Sequence, residues 1–136
     1  MTRSADLGGY YVGIEYEDLV ADVRSELAAS VTTARSAGIP DEHIILDPGL
    51  GFGKTVSQNL QLINATGAIA ELGFPVLVGP SRKSFVGVTL DLPPDQRVEG
   101  TAAAVAVAIV RGADMVRVHD VAAMVRVARM TEAIVQ

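Results

Sequence analysis

Cysteine is absent from the 136 residues, which rules out disulfides and thiolate metal sites. Histidine is scarce: His43 and His119 are the two in the chain. They fall at opposite ends of predicted strands, so they build no metal-ligand cluster. Long apolar runs are missing, and no segment reaches the ~20 residues that span a bilayer. Residues 1–9 carry Arg3 and Asp6 and lack the apolar stretch of a signal peptide. Positive charge is in short supply too, with 11 Lys and Arg against 16 Asp and Glu, a net of -5. A general nucleic-acid binder needs a basic footprint, so this charge argues against that class. It does not exclude a small anionic ligand, because a few cations can act locally. Low-complexity tracts and basic tails are lacking as well. What remains is 49% hydrophobic and 20% charged, enough for the packed core of one domain. A reducing cytoplasm fits this composition.

Two kinds of segment alternate. Leu19, Val20, Val23, Leu27 and Val31 keep helical spacing and predict a helix over residues 17–37. Glu17 and Asp18 suit its first turn, and Gly38 and Pro40 stop it. A short apolar run at 43–46 reads as a buried parallel strand. A helix over 56–72, stopped by Gly73, and a strand over 75–78 follow. A polar connection over 81–100 leads to an Ala/Val-rich helix at 101–111, a strand at 115–118 and a helix at 121–134. The order is α-β-α-β-α-β-α, about three parallel strands and four helices joined by right-handed crossovers. A doubly wound sheet and a (β/α)8 barrel both accommodate it, and both place ligands at the C-terminal strand ends. Three strands do not close an eight-stranded barrel, so the chain reads as a piece of one.

Each strand ends in polar residues. The first ends in Asp47-Pro48-Gly49-Leu50-Gly51-Phe52-Gly53-Lys54-Thr55. Gly53-Lys54-Thr55 resembles the close of a P-loop, but Pro48 occupies a required glycine position and offers no N–H. A glycine-rich strand-to-helix turn accounts for Gly53, Lys54 and Thr55. It does not account for Asp47, whose carboxylate can accept two bonds from an amidine-like ring edge, or Phe52, a flat apolar wall. The second strand ends in Gly79-Pro80-Ser81-Arg82-Lys83-Ser84-Phe85. Its cations read either as a solvated loop or as Lys83 turned into the site, with Ser84 able to bond a carboxylate and Arg82 pairing with a nearby acid. The third ends in Arg117-Val118-His119-Asp120. Residues two apart in a strand share a face, so Arg117 and His119 make a plausible clamp for an anion. A packing role for His119 stays open, and Asp120 is placed to cap the last helix.

Taken together, these three segments resemble dihydropteroate synthase, whose strands end in DPG.GFGK, SRKS and RVHD. All three patterns occur here in order, at residues 47–54, 81–84 and 117–120. Asn59-Leu60 and the Arg97-Val98-Glu99-Gly100-Thr101 run extend the likeness, which covers residues 16 onward.

The resemblance implies an α/β fold, the C-terminal part of a (β/α)8 TIM barrel, with residues 1–136 one partial domain. The implied reaction condenses 6-hydroxymethyl-7,8-dihydropterin diphosphate with 4-aminobenzoate and releases diphosphate. It assigns the pterin edge to Asp47 and the pterin carbonyl to Lys83. Arg117 would stack on the pterin and bind diphosphate with His119. Gly51, Phe52 and Ser84 would complete the substrate pocket, the last two beside 4-aminobenzoate. Lys83, Arg117 and His119 are the implied catalytic set. Mg²⁺ is the implied cofactor, with its ligand in an N-terminal half that this chain lacks and no metal ligand here. A homodimer through the C-terminal helices and competition by sulfonamides are also implied. Residues 1–14 fit the family poorly. Two rivals stand beside this reading: a methyltetrahydrofolate-type pterin-binding barrel and a non-catalytic truncated remnant.

Overall fold

The computed structural model describes residues 14–135. It contains α1 (Leu19–Ser36), α2 (Val56–Asn64), α3 (Thr66–Ala70), β1 (Leu77–Val78), α4 (Ser84–Leu90), α5 (Val98–Val110), β2 (Met115–Val116) and α6 (Val121–Val135). Short 3-10 turns occupy Asp41–His43 and Pro94–Gln96. Strands β1 and β2 pair in parallel, Leu77 opposite Met115 and Val78 opposite Val116. Leu46 extends the sheet on the other side by a single parallel bridge to Val76. The result is α/β, with helices packed around a small parallel sheet.

Among the described residues, the expected three strands and four helices are two strands and six α-helices. The first strand shrinks to a bridge because its run is pinched. The 3-10 turn at Asp41–His43 precedes it, and Pro48, with no N–H to give a ladder, follows. Leu46 N still donates to Pro75 O, and Leu77 N to Leu46 O, each at 2.8 Å. The single helix expected over 56–72 breaks at Ala65. There the buried Thr66 hydroxyl bonds back to Ile63 O at 2.8 Å and competes with the helix ladder. Helix α4 lies inside the segment read as a polar connection. Its buried Phe85 and Val86 anchor it, and Asp91 closes it in the left-handed region at φ 53°.

Helix α1 forms as its spacing predicts. Leu19, Val23, Leu27 and Val31 recur every four residues and enter the core. Asp18 sits just outside as the N-cap, accepting from Ala21 N at 3.1 Å. The same core takes in Leu46, Leu50, Leu62, Ile69, Val76, Val78 and Phe85. Helix α5 packs on α2, α4 and α6. It buries Thr101, Val105 and Ala108, while Val107 and Val110 stay exposed. Among the described residues no helix is long and apolar enough to cross a membrane.

Leu27 is 1% exposed, whereas Val88 is 67% exposed. Leu27→Ala is expected to cost about 2–5 kcal/mol through lost burial and a residual cavity. Val88→Ala should stay within about 0.5 kcal/mol. Urea unfolding of the two variants checks this, and comparable losses would contradict the core as described.

Candidate active site

Because the sheet is parallel, the C-terminal ends of Leu46, β1 and β2 lie along one edge. The three polar motifs leave the sheet there. The first loop, 47–55, starts with Asp47, which is half-buried and accepts from Gly49 N at 2.8 Å through one carboxylate oxygen. It ends at Thr55, whose hydroxyl accepts from Gln58 N while the Gln58 side chain accepts from Thr55 N. That capping box fixes where α2 begins.

Two buried polar side chains brace this loop from beneath. Asn59, 2% exposed, accepts from Gly51 N at 2.6 Å and donates to Thr55 O at 2.8 Å. Lys54, 7% exposed, donates to Gly49 O at 3.0 Å and Phe52 O at 2.9 Å. Burial pushes the Lys54 ammonium down to about 8, against the pull of Glu26 and Asp47. The glycine-rich turn is thus held on an internal lysine, which explains that residue without a P-loop.

Lys83 reaches across from the second strand end. Its ammonium donates to Leu50 O and lies 4.8 Å from the centre of the Phe52 ring, a cation–π contact. Burial lowers its pKa, Asp47 opposes that shift, and Arg117 adds to it. Gly51 makes this approach possible. Its φ is +79°, and a Cβ there would stand 2.8 Å from Lys83 Cδ. Gly51, expected to touch substrate, is in this structure the gap through which the lysine stem passes.

The second loop is pinned at several points. Arg82 holds φ 56°, unusual for a residue with a side chain. Its N–H donates to the buried Thr101 hydroxyl at 3.1 Å, and its carbonyl accepts from Arg97 at 2.9 Å. Arg97 also donates to Leu92 O at 3.0 Å. The Arg82 guanidinium grips Asp120 with both arms, at 3.1 and 2.7 Å. That bond raises the Arg82 pKa and lowers that of Asp120. The Asp120 carboxylate therefore serves Arg82, in place of the helix-capping role expected for it.

Arg117 and His119 leave β2 beside this loop. Together with Gly79, Ser81, Lys83 and Val118 they line a cleft of about 350 Å³. Ser84 is exposed and lines a separate cleft of about 310 Å³ with Gly53, Lys54, Thr55 and Asn59. The structure thus brings Lys83, Arg117 and His119 into one cleft, with Phe52 and Asp47 joined to it through Lys83. Ser84 lies next door. His43 is exposed on its 3-10 turn, away from the site. Lys54, Asn59, Ser81, Arg97 and Thr101 carry the geometry and were given no site role by the sequence. Lys54 and Ser81 lie within the family-like motifs, and Asn59, Arg97 and Thr101 in the stretches that extend the likeness, but the linear pattern does not show which backbone groups they brace. Chemically, two cations and an imidazole around one cleft suit a multiply charged anion.

Residues 5–119 match the model of the family described as pterin binding enzyme, and the chain belongs to that family. It is 49% identical over 123 residues to the dihydropteroate synthase of Clostridium beijerinckii, covering 90% of this chain and 46% of that one. Among solved structures it resembles the Clostridium difficile dihydropteroate synthase crystallised in the presence of pteroic acid. The TM-score is 0.87 at 41% identity, over 90% of this chain and 47% of that one. The Xanthomonas albilineans dihydropteroate synthase with 4-aminobenzoic acid gives 0.86 at 41% identity, over 92% and 47%. The chain spans less than half the length of the curated relatives it matches.

The Lys54 shift sets a pH dependence. The unfolded chain keeps this proton up to the ordinary 10.5, while the folded chain releases it near 8. Between those values the unfolded state binds more protons, so stability rises with pH. Lys54→Met is expected to flatten that rise, leaving a smaller part from Lys83, whose shift has the same sign. Urea unfolding between about pH 7.5 and 10.5 measures it; an unchanged slope contradicts the buried lysine.

Proposed function

We propose that this chain is the C-terminal half of a dihydropteroate synthase barrel, and that its strand-end edge binds a dihydropterin diphosphate and 4-aminobenzoate. The observation that carries the reading is the convergence of Lys83, Arg117 and His119 on one cleft beside Asp47. Asp47 accepts from the amidine-like pterin edge, and Lys83 donates to the pterin carbonyl. Arg117 stacks on the ring and, with His119, holds the diphosphate. The C–O bond to the pterin methylene breaks, and diphosphate leaves with the electron pair. The amine nitrogen of 4-aminobenzoate then bonds that carbon and loses a proton. Fixed donors around the leaving group stabilise its developing charge.

In this reading Phe52, in contact with Lys83, and Ser84, in the neighbouring cleft, lie beside 4-aminobenzoate, with Ser84 near its carboxylate. Sulfonamides, which mimic that substrate, compete there in this reading. Mg²⁺ is implied for the family. Among the described residues no group of three or more His, Cys, Asp or Glu side chains converges, and no step here runs through the metal. Helices α5 and α6 leave Val107, Val110, Met130 and Ile134 exposed, apolar side chains that a second copy would cover in the complete barrel.

In a barrel completed with the N-terminal part of the Clostridium beijerinckii relative, Arg117→Ala and His119→Ala are each expected to cut turnover about 10²-fold. Melting temperatures should move by only a few degrees, because both residues are exposed. Asp47→Asn should weaken pterin binding by about tenfold or more, the worth of a charged hydrogen bond. Turnover losses that merely track melting, or pterin affinity within twofold, would sink the assignment.

The chain by itself is expected to make no dihydropteroate. Its cations are present, but among the described residues no strand pairs beyond Leu46 or beyond β2, so the site is open at both sheet edges. Product formation by the purified chain, with the completed barrel as control, is the measurement. Turnover within about tenfold of the control, roughly 1.4 kcal/mol in the barrier, overturns this.

A further inference from the structure

Ser81 is 6% exposed and sits in the wall of the cleft. Its oxygen lies 3.0 Å from the backbone nitrogen of His119 and 2.8 Å from His119 Nδ1. The backbone N–H can only donate, so the Ser81 oxygen accepts there. A covered hydroxyl hydrogen needs an acceptor of its own. Nδ1 of a neutral imidazole is one. With Nδ1 accepting, the proton of the neutral ring must sit on Nε2, the nitrogen not tied to Ser81.

We propose that Ser81 is the positioning residue for His119. It fixes the neutral ring in the Nε2–H tautomer, so that Nε2 acts as a hydrogen-bond donor to the oxygens of a phosphate or diphosphate group in the cleft. The donor role rests on the reading of the cleft as the diphosphate site. The protonated ring donates from both nitrogens, so Nε2 is a donor in that state too. What Ser81 removes is the third form, a neutral ring whose bare Nε2 lone pair would face an anionic oxygen. The same contact spans 38 residues and joins the ends of β1 and β2, so ring orientation is tied to strand pairing and not to a flexible loop.

The chain contains two histidines, which makes the test direct. Long-range ¹H–¹⁵N correlation on the histidine-labelled chain reports the tautomer of each neutral ring. His43, exposed, serves as the reference for a solvated imidazole. His119 is expected almost wholly as Nε2–H, unlike His43. In Ser81→Ala its tautomer ratio should relax toward that of His43, and inorganic diphosphate should bind about two- to tenfold more weakly, the worth of one neutral hydrogen bond. Ser81→Thr, which keeps the hydroxyl, should restore both. A parent His119 with the same tautomer mixture as His43 overturns the proposal, and this arm does not need the alanine variant to fold. An unchanged tautomer in Ser81→Ala overturns it as well. A fixed tautomer with no response of the His119 signals to diphosphate leaves Ser81 orienting the ring but overturns the donor role and the site reading beneath it.

Discussion

Parallel pairing of β1 with β2 is the constraint on which the rest of the site depends. An antiparallel neighbour would send Arg117 and His119 to the far edge of the sheet. In register, Val78 lies opposite Val116, so residues 79–81 and 117–119 leave side by side. Ser81 then reaches the backbone and ring of His119, and Arg82 reaches Asp120. None of these contacts is local in sequence. The ladder itself is only two residue pairs long, so these side-chain bonds extend the pairing past the point where backbone bonding stops.

The second constraint is that the strand-end loops are braced by polar groups held below the surface. Burying an ammonium is costly unless it is well bonded, and the lowered pKa of Lys54 records that cost. Its two carbonyl acceptors, at Gly49 and Phe52, belong to the loop that presents Phe52 to Lys83. Asn59, Thr101 and Arg97 do comparable work for Gly51 and Arg82. A loop held by bonds from beneath keeps its upper surface for ligand, which is how a segment rich in glycine can still offer a defined shape.

Much of this was legible in the sequence. The every-fourth-residue stripe of α1 forms as read, because one helix face buried on a core leaves little choice of structure. The three strand-end motifs marked the edge where the cleft lies, and the pairing of Arg82 with an acid was foreseen in kind. Other features were hidden by tertiary effects. Periodicity does not show that Thr66 turns its hydroxyl back on the helix and splits 56–72 in two. Nor does it show that Pro48 and a 3-10 turn leave Leu46 a lone bridge. Helix α4 was missed because the segment containing it begins with Ser81, Arg82 and Lys83 and ends in prolines, which masked Phe85 and Val86. Lys54 read as part of a glycine-rich turn and Asn59 as part of the family likeness, since nothing in a linear pattern says that a polar side chain will be covered.

The gap at Gly51 ties two positions that are far apart in the chain. The space left by the missing side chain is filled by the methylenes of Lys83, so the two residues share one volume. Either can change only within what the other permits. A bulkier residue at 51 would demand a shorter stem at 83, and a shorter stem would draw the charge away from Phe52 and Leu50. Among relatives the pair should therefore drift together or stand still together, as a lock and its bolt do, although neither residue bonds the other through a polar atom.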